Sequence, residues 1–120
     1  LTFLGERDKN RLEKLYLASD LLIHPSRFES FGMAIGEAIG FGIPVISSDA
    51  GALPDIYSES PVLFFKSEDI DSLGSAIKSV LKPAGYTKLC NGFKNFNFKS
   101  ENWDQKLGSL SDLINKLNTE

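Results

Sequence analysis

The sequence has a single cysteine, Cys90, and a single histidine, His24. One cysteine excludes an internal disulfide, and the two residues together are too few for a zinc site built from such ligands. An excess of positive charge is also missing: 13 basic against 16 acidic residues leave a formal charge of −3. A general nucleic-acid binder needs a basic face to offset phosphate charge, so that class is set aside. No apolar run comes near the ~18 residues of a membrane span, and the first residues do not read as a signal peptide. Met is absent from position 1, and a strand-like run begins at once with Leu1, so a piece of a longer protein is the expectation. A reducing, cytoplasmic setting accords with the lone thiol.

What is present is an ordinary globular composition. Of 120 residues, 42% are hydrophobic and 24% charged, enough for one domain with a real core and too few residues for two. The order along the chain is strand, helix, strand, helix. Strands are expected at residues 1–4, 21–24, 43–47 and 61–65, the third with Pro44 near its start, where a missing N–H donor is tolerated. Asp8 is placed to cap a helix with Leu12, Leu15 and Tyr16 on one face. One helical turn is expected at residues 54–57, and an amphipathic helix at 69–81 that Pro83 ends. Two further helical stretches follow from Tyr86, the clearer at 100–117. Alternating strands and helices predict an α/β fold, a Rossmann-like parallel sheet with helices on both faces. Ligands of such sheets sit at the carboxyl ends of the strands.

The informative stretch is residues 25–38, PSRFESFGMAIGEA. Glu37 lies in a helix that is otherwise apolar and is therefore expected to be buried. A buried carboxylate needs hydrogen-bond donors, and no basic residue lies within a helical turn of it. Sugar hydroxyls would supply them. Glu29 sits just before the same helix, and the first free N–H groups of that helix, near residues 31–34, would point into the same space as an anion site. Gly32 clears room for close backbone approach. Plainer readings stand beside these. Glu29 would serve equally as a solvated loop residue, Glu37 as a rim residue bridged by water, and the glycines as packing aids.

The spacing of this stretch resembles the signature of the group 1 glycosyltransferases, the large retaining family 4 of the two-domain GT-B fold. That signature has Pro-Ser, Glu, Phe-Gly, a Glu-Ala pair and a later Gly-x-Pro-Val; here these are Pro25-Ser26, Glu29, Phe31-Gly32, Glu37-Ala38 and Gly42-Ile43-Pro44-Val45. Seven residues separate Glu29 from Glu37, as in the family. Phe3-Leu4-Gly5 and Ser19-Asp20 agree as well, and the likeness runs to about residue 82. It implies a partial GT-B C-terminal domain, with a nucleotide-sugar-binding α/β region at 1–82 and a helical tail at 83–120.

The resemblance also implies roles. Glu37 would accept hydrogen bonds from both ribose hydroxyls of a nucleotide-diphospho-sugar donor. Glu29 would contact the transferred sugar as the catalytic residue. The backbone around Ser30, Phe31, Gly32, Met33 and Ala34 would bind the distal phosphate. The implied reaction moves a hexosyl group, with retention, to a glycan or lipid-linked acceptor, as in polysaccharide biosynthesis. No metal and no cofactor are implied, since positive protein groups and the helix end would carry the leaving charge. The acceptor would be bound by an N-terminal domain that is not in this sequence, and the parent enzyme would also offer peripheral contact with a membrane. The basic residues that grip the diphosphate in the family belong to an upstream segment, also absent. In the family's strand order, two such upstream strands would lie between residues 1–4 and 21–24; without them, a raw sheet edge, self-association or direct pairing of those two strands is expected. The loop Gly51-Ala52-Leu53-Pro54-Asp55 departs from the family's Gly-Gly-x-Pro-Glu, and Gly36 and Gly40 stand where larger residues are common.

Other residues have readings of their own. His24 ends a strand near the site and reads as a hydrogen-bonded structural histidine. Arg27 would approach a phosphate or form a surface salt bridge. Ser47 and Ser48 would line the ligand edge or cap the next turn. Trp103 with Phe93, Phe96 and Phe98 reads as packing of a terminal helix, and Lys94 and Lys99 are too sparse for a nucleic-acid face. Two competing functions remain: a non-catalytic nucleotide-binding remnant or interaction module of the same fold, and a receiver-type signalling domain. The second lacks the acidic cluster and lysine such domains require.

Overall fold

A computed structural model describes residues 1–95 of the chain. Three strands, β1 (Leu22–His24), β2 (Val45–Ser48) and β3 (Val62–Phe65), form one parallel sheet in the order β1-β2-β3. The register pairs Leu22 with Val45 and Val45 with Val62. Every residue of β2 is buried, so successive side chains feed two separate cores. Val45 joins Ile35, Ala38, Ile39, Ile43, Leu53 and Tyr57 on one face. Ile46 joins Phe65, Ala76 and Val80 on the other. Helices cover both faces, as an all-parallel sheet requires.

The helices are α1 (Lys9–Leu17), α2 (Met33–Gly40), the single turn α3 (Leu53–Ile56), α4 (Ile70–Leu81) and α5 (Pro83–Asn95). Two start where side chains satisfy the free first-turn donors. Asp8 accepts from the Arg11 N–H at 2.9 Å, and Asp69 accepts from the Ser72 N–H at 2.9 Å. Pro83 separates α4 from α5 and opens the second helix, where its missing donor does no harm. α5 packs Tyr86 and Leu89 on the second core and Phe93 on the first. Its glycines permit this: a Cβ at Gly92 would lie 2.9 Å from Pro61 Cα, and one at Gly85 would strike the Ser79 carbonyl. Trp103, Phe96, Phe98, Lys99 and the helix expected at 100–117 lie outside the described residues.

One expected strand is absent. Residues 1–4 form no strand, and Leu1 and Phe3 are almost fully exposed. An extended run becomes a strand only when a neighbour takes its backbone hydrogen bonds. No such neighbour occurs among the described residues, and residues 1–4 do not pair with β1. Among the described residues the outer edge of β1 is unpaired, the raw edge named above.

Leu53 supports the region where α2 begins. It is wholly buried, and a Cβ added to Gly32 would lie 2.7 Å from its Cδ2. Leu53→Ala therefore removes the floor beneath the start of α2. The expected loss is about 2–5 kcal/mol, read as a lowered midpoint in urea or thermal unfolding; a loss under about 1 kcal/mol would show that this floor is not required.

Candidate functional site

Three loops meet at the carboxyl ends of the strands. The loop after β1 carries Glu29 and enters α2; the loop after β2 enters α3; the loop after β3 enters α4. The first two are locked together at Gly51, which lies at φ 59°, where a Cβ would strike the Glu29 carbonyl oxygen. Only glycine takes that conformation and that approach easily. Ala52 sits at φ −88°, which any residue adopts, so the family's second glycine is not needed there. The chain then reverses into α2 through Gly32, buried at φ 64° and ψ 52°. Tyr57 secures this reversal, its hydroxyl being within 3.2 Å of the Phe31 carbonyl and 3.1 Å of the Gly32 carbonyl. Burial pushes the Tyr57 hydroxyl up from its ordinary value, keeping it a donor.

The Glu29 carboxylate is seated on the start of α2. The N–H groups of Gly32 and Phe31 hold its pKa below the usual glutamate value, with smaller help from the imidazole of His24 and the Ser30 N–H. The Phe31 N–H lies 3.4 Å from Oε1. Three of the five backbone donors assigned above to a phosphate, those of Ser30, Phe31 and Gly32, are thus in contact with Glu29. The N–H groups of Met33 and Ala34 remain, without an acceptor among the described residues. Ser30 and Met33 are exposed, Phe31 slightly so, and Ala34 is half-buried.

Glu37 differs from expectation. It is exposed, not buried, because α2 turns this side chain away from the first core while Ile35, Ala38 and Ile39 fill it. The helix is apolar in composition yet only one stripe of it is covered. Its donor is a protein group, the Tyr16 hydroxyl, which gives a hydrogen bond to Glu37 Oε2 at 3.0 Å. Tyr16 had been placed only on the apolar face of α1. Nothing local in the sequence distinguishes its hydroxyl from that of any other half-buried tyrosine.

His24 also departs from its expected role. Its Nε2 is buried with no hydrogen-bond partner and lies 3.4 Å from Glu29 Oε2, an ion pair when the imidazole is protonated. Arg27 takes the surface alternative, 3.7 Å from Glu68. Ser47 and Ser48 are buried and do not cap α3: the Ser48 hydroxyl donates to the Ser26 carbonyl at 2.6 Å, tying β2 to the loop after β1, and Ser47 donates to the Ser48 carbonyl at 3.0 Å. No group of three or more metal-ligating side chains occurs among the described residues, and no helix there is long and apolar enough to cross a membrane.

A parallel sheet with helices on both faces, and with Glu29 in the loop between a strand end and the helix that carries Glu37, defines a Rossmann-like α/β domain of the GT-B kind. The solved sucrose-phosphate synthase from Thermosynechococcus elongatus superposes with a TM-score of 0.73 at 30% identity, covering 98% of this chain and 30% of that one. The Anabaena protein HepE, solved in complex with UDP and glucose, gives a TM-score of 0.68 at 26% identity over 92% of this chain and 32% of its own. The sequence profile of the glycosyl transferases group 1 matches residues 1–100, and the chain belongs to that family. O-antigen chain mannosyltransferase B of Escherichia coli is 26% identical over 104 residues, 87% of this chain. The chain spans 27% of that relative's length.

The seating of Glu29 sets a pH response. A depressed folded-state pKa stabilises the fold above the unfolded value and loses that contribution as pH falls through the folded one. Carboxyl-carbon NMR is expected to find Glu29 still ionised when ordinary glutamates, near pH ~4.3, are half protonated. Amide shifts of Phe31 and Gly32 should follow its titration. A Glu29 midpoint at or above the ordinary value would remove the N–H seat from this account.

Proposed function

We propose that residues 25–37 bind the nucleotide-diphospho-sugar donor of a retaining hexosyltransferase of which this chain is a part. The observation that carries the reading is Glu29 in the loop that leaves β1 at the carboxyl edge of the sheet, with Glu37 exposed on the helix that this loop enters. Its support is chemical. A donor presents a ribose diol, a diphosphate and a sugar, and the loop offers an acceptor, an N–H pair and an acceptor in matching order. Glu37 Oε1 has no hydrogen-bond partner among the described residues and is open to ribose hydroxyls. The N–H groups of Met33 and Ala34, at the positive end of α2, take a phosphate oxygen and stabilise the charge that develops on the leaving diphosphate. Glu29, held by its own N–H bonds, contacts the sugar and fixes the reacting carbon. No metal enters this scheme. The acceptor, a glycan or a lipid-linked sugar, is held in line by the rest of the enzyme, so this chain alone is expected to give no turnover.

The two carboxylates separate in a binding experiment on a longer protein containing this chain, titrated calorimetrically with UDP and GDP. Glu37→Ala is expected to weaken the nucleoside diphosphate by about 1.5–3 kcal/mol, the worth of hydrogen bonds to a charged acceptor. Glu29→Ala should leave the nucleoside diphosphate alone and lower the turnover of the sugar nucleotide, as expected for a group that acts mainly in the transition state. Thermal unfolding of both variants separates binding from stability. Equal nucleotide affinity in wild type and Glu37→Ala overturns the ribose assignment.

A further inference from the structure

Tyr16 is held to α2 at two points. Its ring stacks on Phe41, the residue that closes α2, with centroids 5.2 Å apart and planes 11° from parallel. Its hydroxyl donates to Glu37 Oε2 at 3.0 Å, one helical turn earlier on the same helix. The two contacts fix each other: the stack sets where the hydroxyl can reach, and the hydroxyl sets which rotamer Glu37 adopts. Glu37 is exposed and would otherwise sample several rotamers in water. Freezing such a side chain on ligand binding opposes affinity, and freezing it beforehand removes that opposition. A carboxylate has about four lone-pair sites, so a hydrogen bond at Oε2 leaves Oε1 whole.

We propose that Tyr16 is a positioning residue for Glu37, holding Oε2 through its hydroxyl so that Oε1 is presented to the diol of a nucleotide ribose. The inference rests on the donor-site reading of Glu37 and adds to it a residue from outside the motif. In this arrangement a single carboxylate oxygen receives the ribose, and α1 is part of the binding site although none of its residues would touch the nucleotide. The hydroxyl is suited to the task because burial, together with Glu37 itself, pushes its pKa up to about 12. It stays protonated, and so remains a donor, at any pH where the enzyme would work.

The variant that tests this is Tyr16→Phe, which keeps the ring and its stack on Phe41 and removes one oxygen. A longer protein containing this chain is titrated with UDP and with 2′,3′-dideoxy-UDP, or with the guanine pair if it prefers GDP. Tyr16→Phe is expected to weaken the ribose form roughly two- to tenfold, the range of a single hydrogen bond, and to leave the dideoxy form unchanged. Added to Glu37→Ala, it should cost nothing further, because both substitutions remove the same interaction. Equal weakening of both nucleotides, full additivity with Glu37→Ala, or tighter binding by Tyr16→Phe overturns the proposal. An unchanged affinity in Glu37→Ala alone overturns the donor-site reading instead, and the positioning role falls with it. A ligand-free measurement keeps the two apart: NMR of the Tyr16 ring carbon bearing the hydroxyl should show its ionisation moving down from about 12 in Glu37→Ala. No movement would show that the hydroxyl and the carboxylate are not paired, whatever the nucleotide does.

Discussion

The left-handed turn at Gly32 is the constraint on which the site depends. A chain leaving β1 must reverse into α2 within a few residues while Leu53 lies directly beneath, and a Cβ at Gly32 would come within 2.7 Å of Leu53 and 2.9 Å of Ile35. The turn aims the Gly32 and Phe31 N–H groups at Glu29 and leaves those of Met33 and Ala34 without an acceptor among the described residues. Tyr57 closes the other side by bonding the carbonyls of the same two residues. The peptide groups around one glycine therefore divide cleanly, donors toward the carboxylate and acceptors toward the core.

That division makes Glu29 part of the scaffold as well as part of the proposed site. A carboxylate at a helix start ordinarily competes with any other anion for the same donors. Here the competition is resolved by position, since Glu29 takes the donors before the first turn and leaves those within it. His24 adds a third neighbour on the far oxygen. The arrangement accounts for a charged side chain that is only 27% exposed without a lysine or arginine beside it.

Much of this was legible in the chain, and the remainder was hidden for a reason. β1, β2, β3 and α4 lie within two residues of where apolar runs and caps place them, because each announces itself locally: Asp69 caps, Pro83 breaks, Pro44 precedes a buried run. The spacing of Glu29, Gly32 and Glu37 pointed to one loop and one helix, and these residues lie there. What failed were particular contacts with partners distant in sequence, although the parallel sheet itself was expected. Residues 1–4 have the composition of a strand but no neighbour. Glu37 has apolar neighbours in sequence but not on its own side of the helix. The hydroxyls of Tyr16 and Tyr57 meet atoms more than twenty residues away, and local pattern carries no trace of such a meeting.

The parallel register gives the site a second significance, in time. Leu22 pairs with Val45, so β1 and β2 can close only after the chain between them has folded back as loop and helix. That intervening chain is the one bearing Glu29, Gly32 and Glu37. Closing a long connection before its contacts are rewarded is the slow step of such topologies. The crossover that bears the proposed donor-binding residues is thus also the path the polypeptide must travel to become a sheet, so a substitution there bears on folding rate as well as on the proposed binding.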